Sequence, residues 1–217
     1  MKCPHLYEAR KTVSITDWIA ETTRDAKSRT LSGAPGYAAV ARRTYAASPA
    51  EVWAAVTTPE GIAQWFLPVS GDLRQGGTFQ LEGHAGGDIL ECAPLRRLHL
   101  TWVFGDAPAN EVVVTLSPAG DGQTTLELEH AAPVEGDEVP GFVLAVGAGW
   151  DPALVALGQL LAGDAPDKQW WFESEEARLF TRESVRAWAD VLNHHQIANP
   201  AAVAKDADET LAFYLGE

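Results

Sequence analysis

The sequence predicts an α+β fold: an antiparallel sheet with one buried face, one long, kinked helix toward the C-terminal end, and an extra helical tail behind it. Three observations carry that expectation. Five consecutive segments between residues 77 and 131 alternate apolar with polar side chains, separated by short turns, the pattern of an antiparallel sheet with one buried face. An apolar stripe then runs through Val139, Phe142, Val143, Val146, Trp150, Leu154, Leu157 and Leu161 at helical spacing. Val139 to Trp150 and Trp150 to Leu161 are equal intervals of about three turns, so the stripe keeps phase across Pro152. This predicts one helix kinked at Asp151–Pro152, with Asp151 capping its second half.

The elements follow in order. "SITDWIAETTRDAKS" is expected to be a short amphipathic helix, with Ile15, Trp18, Ile19 and Thr22 on one side, and "SGAPG" over 32–36 a loop or linker. "YAAVARRTYAA" is the first expected strand. "SPAEVWAAVTT" starts a helix with Ser48 as N-cap and Pro49 at the first helical position, its face formed by Val52, Trp53 and Val56. "PEGIAQWFLP" gives a second short helix, broken at Gly61 or ended at Pro68. The strand series is "GTFQLEGH", "GDILECAP", "RLHLTWVFG", "NEVVVTLSP" and "QTTLELEHA". In the third, Leu98, Leu100, Trp102 and Phe104 share a face; "PAGDG" joins the last two as a hairpin turn. Beyond the long helix, "TRESVRAWADVLNHH" aligns Val185, Trp188 and Leu192. "NPAAVAKDADETLAFYL" has Asn199 as cap, Pro200 at its first position, and a face of Val203, Ala207, Leu211 and Tyr214. The apolar "WWF" over 170–172 needs covering.

Composition narrows the function classes. With 217 residues, 46% hydrophobic and 21% charged, the chain can bury a sizeable core. Sixteen Lys and Arg stand against 30 Asp and Glu, a formal charge of −14, which repels phosphate backbones and anionic lipid. Neither nucleic acid nor membrane is expected as a partner. No secretion signal follows "MKCPHLYEARK", and Cys3 and Cys92 are read as two unpaired thiols of a cytoplasmic protein.

No metalloprotease helix, nucleophile elbow or phosphate-binding glycine loop is present. "GHAGGD" is explained by a hairpin turn. His5 is terminal, His84 belongs to a turn, and the adjacent His194 and His195 face different sides. His99 has the wrong parity for the inner face, and for His99 and His130 alike a satisfied or solvated ring is the simpler reading. Glu127 and Glu129 alternate with leucines as a wet sheet face. No catalytic residue, metal or cofactor is assigned.

"SPAEVWAAVTTPEGIAQWF", "GGTFQL", "GDILECAPLRRLHLTW", "TTLELEH" and "GWDPALVALGQLLAG" together resemble the bacterial branch of the heat-shock-protein ATPase activator-like family, in the START and polyketide-cyclase (SRPBCC) superfamily. The resemblance implies the helix-grip fold, Bet v 1-like and START-like, over residues 37–163: a curved antiparallel sheet wrapped around the long kinked helix, with a cavity between them. A helical extension over 1–36 precedes it, and one over 164–217 packs on the domain. The tail, with "ESVRAWADVLNHH" and "ETLAFYLG", looks similar to extensions on some bacterial members. Those members mostly lack the N-terminal domain that engages the chaperone, and the first 35 residues here are too short to supply one. Pro152 departs from the family, which has a helix-friendly residue after the Gly–Trp pair.

In such a domain Gly147 and Gly149 would either thin the helix wall above the cavity or let another helix approach closely. The expected ligand-binding residues are Trp53, Trp65, Phe66, Phe79, Trp102, Phe142, Val146 and Trp150, which would suit a flat or greasy molecule. The leading expectation is a hydrophobic small molecule bound without catalysis. The alternatives are a cyclase- or hydrolase-type enzyme using polar groups in the same cavity, and a protein-interaction or stress-response accessory protein, with a homodimer allowed.

Overall fold

A computed structural model describes residues 15–164 and 174–216. Cys3, His5 and the "WWF" patch lie outside the described residues. The elements are α1 Ile15–Ala20, β1 Thr22–Leu31, β2 Ala34–Tyr45, α2 Pro49–Thr57, α3 Pro59–Trp65, β3 Val69–Gly71, β4 Thr78–Leu81, β5 Gly86–Ala93, β6 Arg97–Trp102, β7 Asn110–Gly120, β8 Gln123–Ala132, α4 Glu138–Leu161, α5 Glu175–His194 and α6 Pro200–Leu215. The eight strands form one antiparallel sheet in the order β1-β2-β8-β7-β6-β5-β4-β3. The long helix α4 packs on β2, α2 and α3 from one side and on α5 and α6 from the other.

The N-terminal segment departs from expectation. The helix stops at Ala20, and Thr22–Leu31 pairs along its whole length with β2 as an edge strand. The "SGAPG" stretch is no linker: Ser32 and Gly33, at φ 47° and 88°, make the two-residue turn that matches the twist of a hairpin. Ala26 and Leu31 are the only apolar residues of β1, and both are buried, so the strand carries little hydrophobic alternation to announce it. Its Lys27 and Arg29 reach Glu129 at 2.7 and 2.6 Å on the outer face, so Glu129 is buried rather than wet. Glu127, by contrast, pairs with a partly exposed Arg42.

The start signals hold. The Ser48 side chain accepts from the Glu51 N–H, and Glu51 reaches back to the Ser48 N–H, completing a capping box. Helix α3 runs through Gly61, where a Cβ would fall 2.5 Å from the Ala54 carbonyl oxygen. Asn199 caps α6 by accepting from Ala201. Strand β6 ends at Trp102, and Phe104 beyond it is exposed instead of joining the inner face.

Helix α4 continues unbroken through Pro152, although a proline removes one backbone hydrogen bond. Asp151 is therefore not a cap, because no new helix start exists there. Its Oδ2 accepts from Arg24 (Nε 3.0 Å, Nη2 2.9 Å), Ser184 (2.5 Å) and Trp188 (3.2 Å), all out of contact with solvent or nearly so. Burial pushes the Asp151 carboxyl above the ordinary carboxylate range, against the opposing pull of Arg24, Ser184 and Trp188. This network ties β1, α4 and α5 together. The glycines also find their reason on this side. A Cβ on Gly147 would sit 2.3 Å from the Trp188 ring, and one on Gly149 2.7 Å from the Tyr214 hydroxyl. They admit the tail helices, and the reading of a thinned cavity wall falls away. By length and composition α4 could cross a membrane, with a mean hydropathy of 1.5 over 18 residues. However, 56% of that window is buried inside the protein, as in a core helix.

Candidate functional site

Alternation along β6, β7 and β8 sends Leu98, Leu100, Trp102, Val112, Val114, Leu126 and Leu128 to the inner face. Opposite them stand Trp150, Leu154 and Leu157 of α4, successive turns of one helical face. Helices α2 and α3 close one side with Val56, Thr57, Ile62 and Trp65. The segment after α3 and strands β4 and β5 complete the wall with Phe66, Val69, Leu73, Phe79, Leu81, Ile89 and Cys92. Between them lies an apolar cavity of about 100 Å³. For scale, an engineered apolar cavity of about 150 Å³ accepts benzene.

Five of the eight residues expected at a ligand, Trp65, Phe66, Phe79, Trp102 and Trp150, line this cavity. The Phe66 ring is stacked on Trp65 (centroids 5.4 Å, planes at 27°) and on Trp150 (5.6 Å, 25°), while Trp102 meets both Phe79 and Trp150. Trp53, Phe142 and Val146 do not line it. Trp53 lies one turn before Val56 and Thr57 and packs against the rest of the core. Val146 packs there too, one turn before Trp150. Phe142 lies further back, its ring 5.8 Å from His130.

His130 closes that end. It is buried; its Nδ1 accepts from Trp150 Nε1 at 3.0 Å, which leaves the ring proton on Nε2, and the Asn110 side-chain amide 3.2 Å away accepts that proton when its oxygen is turned toward the ring. Burial pushes its pKa down to about 3. The unfolded chain takes up this proton near pH 6.5 and the folded one only near 3, so stability is fully present above 6.5 and declines as the pH falls through that window. The expected loss is about 1.4 kcal/mol per pH unit. Urea titrations between pH 7 and 4.5 check it, and His130→Gln should flatten the curve. His99 lies on the outer face, 3.0 Å from Glu111.

The aliphatic wall went unassigned in the sequence. Alternation marks which side chains point inward, but not which of them a helix leaves uncovered. Among the described residues no three of His, Cys, Asp and Glu gather as metal ligands. Cys92 is the one titratable side chain in the described lining.

Residues 46–162, more than half of the chain, match the family model for Activator of Hsp90 ATPase homolog 1-like proteins. The chain belongs to this family. CalU16 from Micromonospora echinospora is similar to this family member in its crystal structure, at 38% identity and a TM-score of 0.69, covering 79% of this chain and 98% of CalU16. The solution structure of CalU16 gives 39% identity and a TM-score of 0.70, covering 80% and 96%. A conserved protein of unknown function from Enterococcus faecalis, EF2215, shares the fold at 18% identity and a TM-score of 0.56, over 80% of this chain and 92% of that one. Among curated proteins, none matches. The helix-grip architecture of the family is the one the eight-stranded sheet and α4 build here.

Proposed function

We propose that the protein binds a hydrophobic small molecule in the cavity between the sheet and α4, without chemical conversion of that molecule. The observation that carries this reading is the wall itself: aliphatic and aromatic side chains from the sheet, α2, α3 and α4 converge on one space. Burying apolar surface there is worth roughly 25 cal/mol per Å² of ligand area removed from water. A cyclase or hydrolase working by acid–base catalysis would need converging titratable groups, and the described lining offers Cys92 by itself. The setting proposed is cytoplasmic.

The partly exposed members of the wall, Thr57, Ile62, Phe66, Val69, Leu73, Cys92 and Leu100, mark where a ligand would pass, since the remaining lining side chains are buried. Native mass spectrometry of freshly purified full chain, followed by denaturation and organic extraction, tests the reading. The expected result is a stoichiometric apolar adduct, released on unfolding and absent from Leu100→Trp, in which an indole fills the cavity. An adduct retained by that variant would overturn the assignment to this site.

One observation favours a second reading, a docking surface. Leu179 and Phe213 are exposed, Phe213 by 79%, where Arg178 donates to the Leu215 carbonyl at 3.2 Å and brings the start of α5 to the end of α6. The same spectrum reads the oligomeric state, and a concentration-dependent homodimer would support that surface.

A further inference from the structure

We infer that Trp102 and His84 form a hydrogen-bonding site at one end of the cavity, where the indole N–H and the imidazole hold a neutral oxygen, a hydroxyl or a carbonyl, carried by the ligand. This inference rests on the ligand-binding reading and adds to it the polar group by which the ligand is recognised.

The polar hydrogens around the cavity single out Trp102. The Thr57 hydroxyl donates to the Trp53 carbonyl at 2.6 Å, the Trp65 indole N–H to the Ala55 carbonyl at 2.9 Å, and the Trp150 indole N–H to His130 Nδ1 at 3.0 Å. The Cys92 thiol is only a weak donor. The Trp102 N–H has no acceptor among the described residues, although the residue is only 8% exposed. His130, which meets the Trp102 ring edge-on at 5.9 Å, has both nitrogens engaged, one with Trp150 and one with Asn110. An indole N–H can only donate, and a donor so nearly withdrawn from water is ordinarily paired.

His84 supplies the second contact. Its ring packs against Trp102 at 5.9 Å, Phe66 at 6.0 Å and Phe104 at 5.0 Å, and neither of its nitrogens has a partner among the described residues. The backbone fixes it there. The His84 N–H donates to the Leu81 carbonyl at 3.1 Å, and the His84 carbonyl accepts from the Gln80 side-chain amide at 3.1 Å. Gly86 and Val103 then exchange bonds of 3.0 and 2.8 Å, which tie this hairpin to the chain one residue beyond Trp102. Desolvation by its surroundings holds the His84 pKa below the ordinary histidine value, so at pH 7 the imidazole is neutral, with one nitrogen to donate and one to accept. A ligand hydroxyl suits both residues at once, its oxygen accepting from Trp102 and its hydrogen passing to His84. A carbonyl oxygen accepts from both. The cavity of about 100 Å³ limits the apolar part of such a ligand to about one ring.

The test is an NMR titration of the full chain at pH 7 with benzene and with phenol, single rings that differ by one hydroxyl. The expected result is that phenol binds at least as tightly as benzene and moves the Trp102 Nε1–H resonance downfield, as hydrogen bonding does, while benzene does not. In Trp102→Phe and in His84→Phe, which keep a ring in place, the ratio of phenol to benzene affinity should fall by about tenfold. Phenol binding more weakly than benzene overturns this inference, since that is the order a wholly apolar wall imposes on a hydroxyl it cannot pair. A Trp102 N–H unmoved by phenol, or a ratio unchanged in either variant, overturns it as well, and each of these results leaves the cavity reading standing. Failure of both rings to bind overturns the cavity reading too.

Discussion

Asp151→Ala is expected to lower the unfolding free energy by about 3–5 kcal/mol, because it strands the Arg24 guanidinium in the interior. Arg24 would keep its bonds to the Ile19 and Thr22 carbonyls, at 2.9 and 2.8 Å, but lose its counter-charge. Ser184 and Trp188 would each lose an acceptor as well. The loss should come from the unpaired charge more than from the pair's intrinsic worth. Replacing both partners together, Arg24→Met with Asp151→Leu, should therefore cost less than Asp151→Ala alone. Urea unfolding followed by tryptophan fluorescence checks the order of the two. A double variant less stable than the single one would contradict it.

Gly147→Val should cost about 3 kcal/mol or more. The new Cβ would meet the Trp188 ring at 2.3 Å, and that ring is fully buried, so it has nowhere to retreat. The gain in helix propensity from replacing a glycine is roughly 1 kcal/mol at best and cannot offset the collision. Gly149→Ala is the control. Its Cβ would meet only the hydroxyl end of a partly exposed Tyr214, which can move aside at the cost of its 2.8 Å hydrogen bond to the Ala145 carbonyl, about 1 kcal/mol. Thermal melts should therefore separate the two variants widely. Equal melting temperatures would show that Gly147 does not seat the tail.

These two sites show what was legible in the sequence and what was not. The stripe from Val139 to Leu161 disclosed the long helix, and its unbroken phase argued correctly that Pro152 does not end it. Period-two alternation placed β4 to β8, and Ser48, Pro49, Asn199 and Pro200 marked two helix starts. Strand β1 escaped because its outward positions are charged and its inward ones include Thr22 and Arg24, polar groups satisfied only by distant partners. The Arg24–Asp151 contact spans 127 residues, and nothing local in either segment announces it. For the same reason Asp151 looked like a cap and Glu129 like a solvated residue. The aromatic half of the cavity could be named because large rings stand out in a sequence. The aliphatic half could not, because a leucine beside a cavity and a leucine beneath a helix look alike there.

The measurement that tests the central claim most directly is a methyl-resolved NMR titration of the full chain with benzene, a ring small enough for a cavity of about 100 Å³. The account predicts saturable shifts at Val56, Ile62, Ile89, Leu128, Leu154 and Leu157, which surround the cavity from five different elements. They should share one binding curve. Shifts confined to Leu179 and the neighbourhood of Phe213, with the cavity methyls unmoved, would contradict it and assign the protein's binding to its exposed apolar surface instead.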